Sequence, residues 1–357
     1  MTKAEPHPRP HPRSRPHSHP RLHPSEHQPR FKSRKRQVAG IVVRRVLVAV
    51  PIVVAVTAAV FALAAVSPFD PLDAYLKGQA GNLTEAQRVS ISHQLGLDRP
   101  WWESWLVWLQ GLAVGDLGIS RSYSQPVTQV LAERLPWTML LGACGLAGAI
   151  ALSFVLALWA AVRRGGVLDR LVLSISTVIQ ATPPFVVALG GLGLFALAWK
   201  LFPTGGLTYP GEPVTFSSTV AHLTLPAVVL AITQVPWLVL SLRESIVEVM
   251  DSGAVTGAQV RGIPRRTIIF SHILPTAVPP FLALIGARLS ELVVGSTLVE
   301  AVFAWPGLGT ALVKSAQSLD FPLLSILTIA TTAIVLLGNL LADVAFVVLD
   351  PRVDADA

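Results

Sequence analysis

The sequence predicts an all-α integral membrane protein of six transmembrane helices, with an extracytoplasmic segment between helices 1 and 2. Composition gives the first reason. Over half of the 357 residues are apolar and only 14% are charged, against about a quarter charged in a soluble globular chain. The second is run length: several apolar stretches reach the ~20 residues that a helix needs to cross the hydrocarbon core. The third is the distribution of Lys and Arg, which concentrates before the first run and in alternate connectors, as cytoplasmic ends require.

Residues 1–38 are rich in Pro, His, Arg and Ser and have almost nothing apolar to bury. Such a segment cannot offset the entropy of ordering, so a disordered basic tail is expected. Its six histidines (His7, His11, His17, His19, His23, His27) invite a metal-binding reading. The intervening Pro and Arg residues argue against a preorganised site, and a solvated tail beside anionic lipid is favoured. Twelve of the 28 Lys and Arg residues fall in the first 45 positions. That flank is a topology signal, and the net charge of +7 does not imply nucleic-acid binding.

The first span runs over Val46–Val66. It is longer than a signal-peptide core, and Phe69, Asp70 and Pro71 follow it without a clear small-residue cleavage site, so a retained helix is expected. Residues 67–136 are polar, but Trp101, Trp105 and Trp108 share one helical face with Leu106, Leu109 and Leu112 nearby. Two readings stand: an amphipathic segment at the outer interface, or a small packed cap outside the membrane. Trp137–Val162 is the second span. Leu171–Trp199 is the third, bent at Pro183 and Pro184, which remove backbone donors. Leu223–Leu242, Ala277–Val299 and Pro322–Leu349 complete the set. The single cysteine, Cys144, excludes a disulfide framework and reads as a small buried side chain.

The connector 163–170 holds three arginines, and 243–272 holds Arg243, Arg261, Arg265 and Arg266. The stretches 200–222 and 300–321 hold one Lys each. Both termini and both basic connectors are therefore expected in the cytoplasm. Within the loop 243–275, Ser252 is placed to cap a short helix of small residues (Ala254, Thr256, Gly257, Ala258) ending near Arg261. Gly262 would close it in a left-handed conformation, and Pro264 suits the first turn of the next helix.

This segment resembles the coupling segment of ABC importer permeases, which places two alanines, a glycine four residues after the second, and a Leu-Pro further on. Gly257 and Ala258 occupy the alanine positions, Gly262 the glycine, and Leu274-Pro275 the end; Thr256 stands where many permeases open the motif with an acid. Four further stretches resemble the dipeptide/oligopeptide/nickel branch of that family. They are Leu95–Pro100 with Gly115–Gly118, Glu133-Arg134-Leu135-Pro136, the run Val299–Gly309 containing Glu300, Phe303, Trp305, Pro306 and Gly307, and Leu349-Asp350-Pro351-Arg352. The Phe-Ala-Trp-Pro-Gly-Leu-Gly run reads as an outer-side turn with Trp305 anchored at the interface.

The resemblance implies a type I ABC importer permease working by alternating access. Its partners would be a homologous second permease subunit, two cytoplasmic ATPase subunits and an extracytoplasmic solute-binding protein, with lipid around the spans. ATP and Mg would be bound by the ATPases, with no cofactor or resident metal in this chain. Peptides are the leading cargo; nickel chelates and oligosaccharides remain open.

Arg288 and Glu291 stand three apart on the fifth span and can pair on one face. They read either as a structural ion pair or as a pathway-lining pair that meets the charged ends of a peptide. The family is usually more apolar or glycine-rich there. Asp343 in the last span reads as a packing or interfacial group. No Gly-x-x-x-x-Gly-Lys-Ser/Thr loop occurs, so ATP hydrolysis is expected elsewhere. No His-Glu-x-x-His or Gly-x-Ser-x-Gly motif supports a hydrolase. An ion-driven secondary transporter has thin support in Pro183-Pro184 and Glu291.

Overall fold

Apolar runs become helices because backbone groups in hydrocarbon must bond within their own segment, and here the helices run on past the apolar windows. In the computed structural model, residues 34–66, 72, 76, 83–94 and 98–349 are described. The tail before residue 34, Phe69 and Pro71, Leu95-Gly96-Leu97, Asp350-Pro351-Arg352, residues 353–357 and the side chain of Asp343 lie outside them.

In chain order the elements are α1 (Arg34–Ala65), α2 (Glu85–Gln94), α3 (Trp101–Ala113), strands β1 (Ile119–Ser120) and β2 (Gln125–Pro126), α4 (Val127–Val162) and α5 (Val167–Ala181). Then come α6 (Pro184–Gly191, extended by a wide π turn, Leu192–Ala198), α7 (Phe216–Met250) and α8 (Gly253–Val260). The chain ends through α9 (Arg265–Ile268, with a π turn Ile269–Ile273), α10 (Leu274–Val302), α11 (Leu308–Gln317) and α12 (Phe321–Leu349). Among the described residues, five helices are long and apolar enough to cross a membrane, and the bent pair α5–α6 makes a sixth span if counted as one. The protein is an all-α, multi-pass membrane protein.

Several boundaries differ from the sequence reading. The second span begins at Val127, so Glu133-Arg134-Leu135-Pro136 is helical rather than loop. The third is broken, not bent: α5 and α6 meet at 106°, because Pro183 and Pro184 stop the hydrogen-bond ladder at Thr182. The helix α7 carries on to Met250, and the span containing α10 begins at Arg265. The coupling loop 243–275 therefore shrinks to the segment 251–264, and Leu274-Pro275 lies inside a helix. Hydropathy ends where charge begins, whereas a helix ends where Asp251-Ser252-Gly253 interrupts the ladder. The helix α1 likewise starts at Arg34, inside the stretch 1–38 expected to lack order.

Small residues set the packing. On α4, Gly145, Ala149, Ser153, Ala157 and Ala161 recur every fourth position and are buried, giving a flat stripe that lets α7 approach closely. A Cβ on Gly145 would stand 2.7 Å from Leu230 Cδ2. The tryptophan helix α3 packs on α1: Trp105 Nε1 donates to Thr57 Oγ1 at 3.2 Å, and Trp108 lies 5.7 Å from the Phe61 ring. Its face is thus partly taken up by protein, while Trp102 and Leu106 stay exposed.

Candidate coupling surface, intramembrane cavity and buried turn

At the basic end of the bundle, a turn through Gly165, which has φ of +76°, leads from α4 into α5. Asp169 in the first turn of α5 is buried and holds three donors. Its Oδ2 accepts the Gly165 amide at 2.8 Å. Arg243 of α7 donates through Nε to Oδ1 at 2.9 Å and through Nη2 to Oδ2 at 2.8 Å. This two-pronged geometry is the strong form of an Arg–carboxylate contact, and it clamps α5 to α7. Arg164 and Asp251 also pair at 2.7 Å, but both are exposed, so that contact contributes little.

Beyond the end of α7, α8 packs at the same end of the bundle. Val255 and Ala258 face inward and are buried; Ala254, Thr256, Arg261, Gly262 and Pro264 are exposed and Gly257 is half-buried. A Cβ on Gly257 would meet nothing within 4 Å. Only one of the paired small residues, Gly257, can therefore be approached from outside, and Ala258 serves packing instead. Ser252 stands at the N-cap, but its hydroxyl makes no cap bond; its backbone carbonyl accepts the Thr256 amide at 3.1 Å. Gly262 has φ of +74°, the left-handed closure expected of it. Pro264 precedes α9 as its N-cap rather than occupying the first turn. Between α8 and the end of α4 lies a cavity of about 390 Å³ bordered by Val162, Met250, Val255, Gln259 and Ile263. Arg265 crosses it to donate to the Val162 carbonyl at 3.1 Å. Val260, the last residue of α8, and Phe270, in the π turn after α9, are large exposed apolar side chains.

Midway along the bundle, the α5–α6 break opens onto a second cavity of about 410 Å³. Gln180 borders it from α5, Thr182 from the break itself, Gln234 and Trp237 from α7, and Arg288 and Glu291 from α10. Arg288, the middle residue of α10, pairs with Glu291 as the spacing predicts, and its guanidinium also lies 4.6 Å from the centre of the Trp237 ring. The Arg288 side chain is 12% exposed and that of Glu291 56%. A half-exposed carboxylate at the middle of a spanning helix cannot face lipid at tolerable cost. This side of α10 therefore faces water or protein.

At the far end of α10, Glu300 is fully buried. Its Oε1 accepts the Thr138 hydroxyl at 2.7 Å and its Oε2 the Gly309 amide at 2.6 Å. Thr138 Oγ1 in turn accepts the Leu308 amide at 2.7 Å. The Glu300 carboxyl and the Thr138 hydroxyl thus satisfy orphan donors at the start of α11. Trp305 is not an interface anchor. It is fully buried, with Nε1 donating to the Trp137 carbonyl at 3.0 Å, because the indole N–H must find a partner once desolvated. Phe303 is buried beside it, Pro306 is half-buried, and Gly307 passes so close to Glu300 that a Cβ would stand 2.3 Å from the carboxyl carbon. Nearby, outside the spans, the Tyr123 ring is flanked by Arg134 at 4.6 Å and Lys314 at 4.1 Å. Burial pushes its hydroxyl above the ordinary phenol range.

Sequence reasoning missed Asp169, Gln234, Trp237 and Thr138 as site residues. Gly309 was visible only as part of a run. Asp169 carried a faint signal, as the one carboxylate among three arginines in a short connector.

Residues 153–355 match the family described as binding-protein-dependent transport system inner membrane component, and residues 39–142 match its N-terminal companion. A protein of Brucella suis provisionally named a peptide permease is 33% identical over 310 residues, covering 87% of this chain and 97% of its own length. The dipeptide transport system permease protein DppB of Escherichia coli is 28% identical over 333 residues, covering 87% and 98%. The oligopeptide transport system permease protein AppB of Bacillus subtilis is 28% identical over 317 residues, covering 88% and 99%.

Proposed function

The chain belongs to the family of binding-protein-dependent transport system inner membrane components, and we propose that it forms half of an ATP-driven pathway that imports peptides by alternating access. It is a permease subunit of an ABC importer. The peptide cargo is carried over from the names of its relatives. The observation that carries the pathway is the mid-bundle cavity, with the half-exposed Glu291 on its rim. A second, homologous permease would close this side, so that cargo passes between the two subunits.

In this reading both termini and the arginine-rich end lie in the cytoplasm. There α8 offers Ala254, Gly257 and Thr256 to a groove on one of two ATPase subunits, which bind ATP and Mg. Closure of the ATPases pushes α8, and the Asp169–Arg243 clamp passes the movement to α5 and α7 together. The 106° break between α5 and α6 supplies a joint beside the cavity. A solute-binding protein delivers cargo at the opposite end, where the Glu300 network keeps the turn rigid.

The pathway role is tested by replacing Arg288→Met and Glu291→Gln together, which avoids leaving either charge unpaired. Uptake is expected to fall about tenfold, a loss of about 1.4 kcal/mol, with insertion and assembly preserved. Unchanged uptake in a less stable protein would make the pair a packing device.

A further inference from the structure

Two residues that border the mid-bundle cavity each carry a buried polar atom with no hydrogen bond among the described residues. Gln234 is 95% buried, at 5% exposure. Its Nε2 donates to Thr233 Oγ1 at 3.4 Å, while Oε1 has no partner among the described residues. Arg288 lies on the same cavity, and its Nε is likewise buried and unpartnered among them. One is an acceptor and the other a donor. Buried polar groups are almost always satisfied, so an orphan donor and an orphan acceptor on residues of one cavity suit an occupant that supplies both complements.

The chemistry of that occupant can be narrowed. Among the described residues, Arg288 and Glu291 are the only charged ones on the cavity, and they neutralise each other. The site therefore has no net charge with which to hold a metal cation or a free anion. A donor and an acceptor in a neutral, partly apolar space complement a group that offers both a carbonyl and an N–H. The Trp237 ring is already stacked with Arg288 and holds the guanidinium plane in place. The volume of about 410 Å³ falls in the range of ~300–1,000 Å³ seen for small-molecule sites.

We infer that this cavity is a subsite for the peptide bond of the cargo, with Arg288 Nε donating to its carbonyl and Gln234 Oε1 accepting its N–H. Recognition of the backbone alone is blind to side chains, so it checks that a cargo is a peptide without selecting its sequence. Both atoms are shielded in this structure, so the subsite requires movement at the α5–α6 break, whose Thr182 and Pro184 border the same cavity. The inference rests on reading this side of α10 as the transport pathway.

The test uses the complete importer in vesicles, with binding protein in excess and saturated. Uptake of alanyl-alanine is compared with that of alanyl-lactate, in which an ester oxygen replaces the amide N–H. The native importer should favour the dipeptide about fivefold, the worth of one hydrogen bond. Gln234→Leu should bring the dipeptide down to the ester and the ratio to about one. Arg288→Lys keeps the charge but lacks Nε; it should slow both cargoes alike and leave the ratio near fivefold. The same ratio in native and Gln234→Leu importers overturns the subsite, as does a native importer with no preference, which needs no variant to fold. Should the native importer take up neither cargo with ATP, the import reading itself fails, and the two failures are thereby told apart.

Discussion

Gly257→Arg will cut ATP-dependent uptake about a hundredfold while leaving the permease folded. A loss of about 3 kcal/mol in docking corresponds to that factor, and a bulky charge at the centre of a small, fitted contact reaches it. A Cβ at position 257 has no neighbour within 4 Å, so the new side chain leaves the backbone into open space in the isolated subunit. Arginine also favours a helix over glycine by roughly 0.8 kcal/mol. Folding is therefore not at risk, and the defect should appear only when the ATPase docks. The measurement is uptake beside thermal stability and co-purification of the ATPase: stability holds, and co-purification falls with uptake. Ala258→Leu is the contrasting change. Ala258 is 1% exposed and faces the body, so overpacking there costs about 1–3 kcal/mol of stability.

Asp169→Ala carries the second large effect. It strips a half-buried Arg243 of both its acceptors and orphans the Gly165 amide. Breaking a buried pair by removing one partner costs about 3–5 kcal/mol, read as a lower melting temperature in detergent. Adding Arg243→Leu removes the uncompensated charge, and most of the stability should return. Uptake should not return with it, because apolar packing does not tie α5 to α7 along a fixed direction. Recovery of uptake together with stability would reduce the clamp to a stability element.

Much of this was legible in the sequence, because its signals were local. Apolar runs marked the spans, Pro183-Pro184 marked where the third departs from a straight helix though not that it breaks, and the spacing of Arg288 and Glu291 predicted their pairing. Gly262 announced its own left-handed turn. What stayed hidden depends on partners far apart in the chain. Asp169 meets Arg243 across 74 positions, and Thr138 meets Glu300 across 162; no local pattern encodes either. Trp305 shows the same gap from the other side. A tryptophan between two spans reads as an interface anchor, but the Trp137 carbonyl and the apolar surroundings of α4 and α10 bury it completely. The end of α7 at Met250 escaped for a different reason, since hydropathy reports the solvent around a helix and not the length of its hydrogen-bond ladder.

In the function proposed, movement in this membrane subunit is driven by ATP hydrolysed in a partner. That dependence is tested most directly by assembling the chain with its second permease, ATPases and binding protein in sealed vesicles and measuring dipeptide uptake with and without orthovanadate. Uptake is expected to require ATP, to stop with vanadate, and to ignore collapse of the proton gradient. Uptake that persists without ATP, resists vanadate and follows the proton gradient would contradict the account.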